Sequence, residues 1–299
     1  MLFLKKNEKN ATNDLNYPKA AMLSDTIHNF VRHKLAMISL VIILFEALMV
    51  FVLPLIMGLE PNKIQGVFYG EPSAEFWLGT DDVGRDIFAR LLYGGRMSLI
   101  IGVSAATLSA LIGIPLGLIA GYYHNVLRVV ILRLTDVFMA IPMMIAAMFI
   151  VSVVGTSMWT VIVVIGFLCW PGFCRLAYGR VLSVKENEYI EAARAIGTPT
   201  HQLILKYILP NSVAPLLVAY SGHIASAIVT ESSLSFLGIG IQPPQASWGN
   251  ILYSAQSLST LTDRPWMWLP AGLCLVATVL SINFIGDGLR DALDPKMKV

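Results

Sequence analysis

An all-α integral membrane protein with six transmembrane helices is the fold class this sequence predicts, on three observations. Of its 299 residues, 56% are hydrophobic and only 13% charged, whereas soluble domains carry about 25% charged residues; the mean hydropathy is +0.68. Nearly uncharged runs recur at bilayer-crossing length, for which about 20 apolar residues suffice. Lys and Arg are also sorted: sixteen fall in the segments that alternate crossing groups with both chain ends, and five in the opposite segments. Basic residues resist translocation, so both termini are expected in the cytoplasm.

The elements follow in order. Residues 1–34 are polar, with Lys5, Lys6, Lys9, Lys19, Arg32 and Lys34 against Glu8, Asp14 and Asp25, and read as a cytoplasmic N-terminal segment. A cleavable signal would place its short apolar core much nearer the start. Residues 35–59 are instead a first, uncleaved span of 25 residues with Glu46 as its single charge. The stretch 60–96 is a polar extracellular loop. Residues 97–123 carry no charge and form span two, whose Gly102, Gly113 and Gly117 let a neighbouring helix approach closely. After Arg128, Arg133 and Asp136, residues 137–174 supply 38 uncharged positions, enough for two helices turning at Gly155-Thr156-Ser157. Span three is placed at 129–154 and span four at 158–176, with Pro171 near its end. Span five covers 211–234. The Gly-, Pro-, Ser- and Trp-rich 238–256 is a loop with room for a re-entrant or interfacial piece. Span six is 265–286, and 287–299 is a cytoplasmic tail. Spans two to six make a five-helix core, 97–286.

Between spans four and five lies the longest polar interruption of the second half. Asn187 reads as an N-cap, with Glu188 and Glu191 in the first turn where the helix dipole favours negative charge. Gly197 stops that helix, because glycine takes a left-handed conformation without steric cost. Thr198 and Pro199 read as the N-cap and first residue of a second short helix. Its Leu203, Ile204, Tyr207 and Ile208 share one apolar face, and it ends at Leu209-Pro210. The expected product is a helix-turn-helix elbow, 186–210, presented to the cytoplasm as a handle on two spans.

Glu191-Ala192-Ala193, three further residues, Gly197, nine more and then a stretch ending at Leu209-Pro210 resemble the EAA loop of membrane subunits of ATP-binding-cassette importers. Tyr207 stands where that pattern usually carries isoleucine. From Phe76 to the end the resemblance narrows to the C-type membrane subunit of dipeptide, oligopeptide and nickel importers. It rests on Leu78-Gly79-Thr80-Asp81-Asp82-Val83-Gly84-Arg85-Asp86, Leu91 to Arg96, Thr230 to Gly238, Ile241 to Gly249, and Gly286 to Asp291 with Asp294-Pro295.

The resemblance implies a type I importer permease fold in a prokaryotic cell membrane, surrounded by lipid, with the first span peripheral. It implies a homologous B-type permease subunit sharing the pathway, two ATP-binding subunits, an extracellular substrate-binding protein, and no nucleic acid. Glu191, Ala192, Ala193, Gly197, Leu209 and Pro210 are carried over as the ATPase-coupling positions. No Gly-x-x-x-x-Gly-Lys-Ser/Thr occurs, so the chain is expected to be non-catalytic, with ATP and magnesium held by the partners.

The 60–96 loop either helps receive the binding protein or caps the helices; Asp82 and Arg85, three apart, read as a local ion pair. Charges at a helix centre in the bilayer cost about 2.5–3.5 kcal/mol on insertion scales. Glu46, twelfth in its span, is read first as a helix-packing contact and second as a pathway residue. Asp136 is an interfacial anion beside Arg133. Glu231, near the outer end of span five, either shapes a gate or is structural. His223 lacks a second ligand at helical spacing and reads as a packing residue, not a metal ligand. Cys169, Cys174 and Cys274 read as small buried hydrophobes. Peptide uptake leads, nickel or metal-chelate import is the alternative on the same architecture, and an ion-gradient-driven secondary transporter is the reading of another class.

Overall fold

In hydrocarbon a backbone must satisfy its own polar groups, so long apolar runs fold as helices. The computed structural model describes residues 19–293; Lys5, Lys6 and Lys9 of the polar N-terminal segment and Asp294-Pro295 of the tail lie outside that range. The helices are α1 (Lys19–Arg32), α2 (Lys34–Phe51) with its short extension α3 (Leu53–Met57), α4 (Ile87–Tyr122), α5 (Val126–Ala140), α6 (Met143–Val154), α7 (Met158–Val184), α8 (Glu188–Ala195), α9 (Thr200–Gln202), α10 (Leu209–Phe236), α11 (Trp248–Tyr253), α12 (Leu258–Asp263) and α13 (Leu269–Leu293). Among the described residues, two isolated bridges, Ile64 with Arg85 and Thr80 with Asp86, are the extended pairing. Among the described residues five helices are long and apolar enough to cross a membrane, and six spans result if the bent pair α5–α6 counts as one.

The centre of the molecule is the crossing of α4 on α7. Ser109, Gly113, Gly117 and Gly121 recur every fourth residue, which puts them on one helix face. The Ser109 hydroxyl donates to the Gly166 carbonyl at 2.7 Å. A Cβ on Gly113 would stand 2.3 Å from the Trp170 carbonyl oxygen, and one on Gly117 2.4 Å from that of Cys174. Backbones therefore touch along most of the crossing, as small residues permit in membranes. The α2 helix and its extension α3 lie at the edge: Leu44 and Leu48 of α2 and Leu55 and Ile56 of α3 are exposed. The Thr278 hydroxyl of α13 donates to the Glu46 carboxylate at 2.6 Å, so Glu46 joins α2 to α13.

Several expectations are corrected. The second span starts at Ile87, ten residues before 97, because Arg90 and Arg96 are accommodated inside the helix. Arg96 sits over the Phe51 ring at 5.7 Å, and Arg90 is 4% exposed. The run 129–154 is not one straight helix. It breaks between Ala140 and Met143 with an 85° bend, at Pro142, which cannot donate to a helical ladder. Span four continues to Val184 instead of ending at 176, past Arg175 and Arg180; Arg175 reaches Asp136 at 2.6 Å, closer than Arg133 at 3.8 Å. Span six is helical from Leu269 to Leu293, with Pro265–Met267 a 3-10 turn before it. The expected Asp82–Arg85 pair is replaced by Asp81–Arg85 at 2.7 Å, since Asp81 also accepts from the Val83 and Arg85 amides and so is fixed facing that side chain.

Arg90 is the knot that ties the 60–86 segment to the 238–250 loop. Its Nε lies 3.5 Å from the Asp81 carboxylate, and its guanidinium donates to the Pro244 carbonyl at 3.3 Å and to Asn250 Oδ1 at 3.3 Å. Removing one partner of a buried charge pair costs about 3–5 kcal/mol. Arg90→Ala is therefore expected to lower the melting temperature of the purified protein clearly. Arg90→Lys should recover only part, because an ammonium lacks the planar fork. Unchanged melting of Arg90→Ala would remove the clamp from the account.

Candidate functional site

The elbow is built from the end of α7, the short α8, and the start of the next long helix. Asn187 is the N-cap of α8, but its side chain donates back to the Val184 carbonyl at 2.9 Å and closes α7 instead. Glu188 and Glu191 occupy the first turn of α8. The helix stops in a paired hydrogen-bond motif: the Gly197 amide donates to the Arg194 carbonyl at 3.0 Å and the Thr198 amide to that of Ala193 at 3.1 Å. Such a stop needs a left-handed residue after the cap, and Gly197 has φ +82°.

The second half differs from expectation. Pro199, not Thr198, is the N-cap of α9, and α9 does not end as a separate short helix. Thr200 to Phe236 is one continuous helix of 37 residues, passing through a π segment at Leu203–Ile208. Pro210 does not end it. The proline falls just where the wider π ladder returns to α geometry, so its missing N–H removes less pairing than in a regular interior turn.

One face of the elbow is locked to the molecule. Ile190 and Ile208 are fully buried with Val181, Val184 and Leu118, and Ile204, Tyr207 and Leu209 pack against them. The apolar face read from Leu203, Ile204, Tyr207 and Ile208 is thus turned inward. Ala193 is buried too, at 5% exposed, so it packs within the chain, while Glu191, Ala192, Gly197 and Pro210 lie on the exposed side. Ile190 and Ile196 escaped the sequence reading. Ile190 pairs with Ala193 at i, i+3, a spacing that marks a helix face; Ile196 is 82% exposed, an apolar knob beside the turn.

The elbow's base is cationic. Lys185 donates to the Gly121 carbonyl at 3.3 Å and lies 3.1 Å from His124 Nε2. Partial burial, then the nearby Arg128, pull the Lys185 ammonium below its ordinary pKa. Arg128 is held against Tyr178 by a hydrogen bond and by stacking, with 5.2 Å to the ring centroid. Arg194 lies 6.0 Å from the Tyr122 ring centroid.

The remaining sequence candidates sit elsewhere. Glu231 is fully buried near the far end of α10, far along the helix from the elbow. Glu46 is on the peripheral α2. His223 stacks on Phe173 with ring centroids 4.1 Å apart. Among the described residues no three His, Cys, Asp or Glu side chains group as a metal site would need.

Residues 113–299 match the family described as binding-protein-dependent transport system inner membrane component, and residues 22–69 match the N-terminal TM domain of oligopeptide transport permease C. The chain is 41% identical over 273 residues to the dipeptide transport system permease protein DppC of Alkalihalophilus pseudofirmus, covering 89% of this chain and 88% of that protein. It is 36% identical over 280 residues to the oligopeptide transport system permease protein OppC of Bacillus subtilis, with 93% and 91% covered. It is 42% identical over 227 residues to the glutathione transport system permease protein GsiD of Pectobacterium atrosepticum, with 76% and 75% covered. A solved structure of the MetNI methionine ABC transporter in an inward-facing conformation superposes with a TM-score of 0.58 over 69% of this chain and 97% of the matched chain; at 19% identity that likeness concerns the fold.

Proposed function

The chain belongs to the family of binding-protein-dependent transport system inner membrane components, with the type I importer permease fold, and from that premise we propose that it is the C-type permease subunit of an ATP-driven importer of short peptides. It is a multi-pass inner-membrane protein. A homologous B-type subunit supplies the other half of the pathway, two ATP-binding subunits supply the energy, and an extracellular binding protein delivers the peptide. The chain itself performs no catalysis, and ATP and magnesium are bound by the partners. Both termini and the elbow face the cytoplasm. Relatives that carry dipeptide, oligopeptide and glutathione names support a peptide over a nickel chelate.

The elbow's build carries this reading. Glu191 and Ala192 stand exposed on a short helix capped by the exposed Ile196, and the helix's other face, Ile190, is seated on Leu118, Val181, Val184 and Ile208 of three long helices. A partner that grips α8 moves α4, α7 and α10 with it, because packed interiors transmit displacement instead of absorbing it. A cysteine at Ala192 is expected to cross-link to an ATP-binding subunit in the assembled complex, at a rate that ATP changes. Labelling of that cysteine by an impermeant reagent outside intact cells, or no cross-link to any nucleotide-hydrolysing protein, would overturn the proposal.

A further inference from the structure

Glu231 is fully buried, and its surroundings are those of a hub, not a lumen. Ser98 of α4 donates to one carboxylate oxygen at 2.8 Å, and Ser235 of α10 donates to the other at 2.8 Å. The Ser232 hydroxyl lies at 3.4 Å. Both principal serines pass the connection on to the outer loop. The Trp248 amide donates to Ser98 Oγ at 3.3 Å, and the Ile241 amide donates to Ser235 Oγ at 2.9 Å. The loop is seated without clearance: a Cβ on Gly249 would stand 2.4 Å from the Ser232 carbonyl oxygen. Its opposite face, with Gln242 and Asn250, lines an outward cleft of about 580 Å³ shared with Asp82 and Arg85.

The carboxyl group therefore ties α4 and α10 directly, through a donor 133 residues away, and the 238–250 loop through the two serines. The same α10 belongs to the unbroken 37-residue helix that starts in the elbow, a rod of about 55 Å at 1.5 Å per residue. We infer that Glu231 is a positioning residue for transport: the latch through which this rod carries movement of the elbow to the outer loop and so to the wall of the cleft. A hydrogen-bonded hub suits this task. It resists slack while seated, and a buried acceptor left unpaired is costly enough to keep loop and helix together. The inference rests on the ATP-driven reading above.

The test uses the complete complex in vesicles, with Gln242→Cys, an exposed loop position, labelled by an impermeant maleimide without nucleotide and with a trapped ATP analogue. With Glu231 present, the labelling rate is expected to differ between the two states. In Glu231→Ala the rates should become equal, and peptide taken up per ATP hydrolysed should fall about tenfold while ATP hydrolysis continues, as expected when one link of a two-state element is cut. A merely structural role would lower the amount of complex and leave both readouts normal in what assembles, which overturns the latch. Rates that switch alike in both proteins overturn it as well. Rates that do not switch even with Glu231 present would instead overturn the ATP-driven reading. If Glu231→Ala does not assemble, Ser98→Ala, which removes one donor from the hub, decides by the same two readouts.

Discussion

Gly117→Leu is expected to abolish accumulation of the folded chain in the membrane. The first added carbon would already lie 2.4 Å from the Cys174 carbonyl oxygen and 2.7 Å from Ala177 Cβ, and backbone cannot rotate away as a side chain can. Helices α4 and α7 must separate, which breaks the Ser109–Gly166 contact and the touching stripe on either side. Overpacking in a well-filled interior costs typically about 1–3 kcal/mol, and here the neighbour is backbone, so the upper end or beyond applies. The matched control is Gly179→Leu, on the same α7 helix, where an added Cβ meets nothing within 4 Å. Detergent-extracted yield and monodispersity should collapse for the first and hold for the second. Equal behaviour of the two would mean the crossing is not the centre of stability.

Gly197→Val is expected to leave accumulation intact and to impair transport strongly. An added Cβ there meets nothing within 4 Å, so packing survives; the cost is conformational. A left-handed backbone costs a residue with a Cβ roughly 1–2 kcal/mol, and a β-branched side chain fares worse still. The paired stop at Ala193 and Arg194 then loosens, and with it the aim of Glu191 and Ala192. Peptide uptake and stimulation of ATP hydrolysis by the loaded binding protein should both fall by about an order of magnitude, since misplacement by an ångström can cost a factor of a hundred. Gly197→Asn should be milder, asparagine tolerating this conformation better. Normal stimulation in the valine variant would show that the turn plays no part in coupling.

What could be read ahead of the structure was what depends on near neighbours. The stop at Gly197, the acids opening α8, the inward face of Leu203, Ile204, Tyr207 and Ile208, and the close-approach glycines of α4 all follow from spacing within a turn or two. The two largest misses share one cause. Arg90 looked like a loop charge because its partners Pro244 and Asn250 lie more than 150 residues away. The hub at Glu231 hid for the same reason, its donor Ser98 being 133 positions distant. Pro210 suggested a helix end and Pro142 was passed over; in fact the first is absorbed by a π segment and the second bends the chain. Proline's effect depends on whether the surrounding ladder can change register, which tertiary packing decides.

The bend at Pro142 has a consequence for the lipid. Two helices at 85° cannot both follow the membrane normal, and α5, with Arg128, Arg133 and Asp136, is the one suited to the headgroup plane. The twelve residues of α6 then rise only about 18 Å within a hydrocarbon layer of about 30 Å. A bilayer bordering so short a crossing would have to thin to meet it, and mismatch of that kind has an energetic cost that grows with acyl-chain length. Wherever lipid borders this flank of the molecule, its thickness would act as a force on the bent pair.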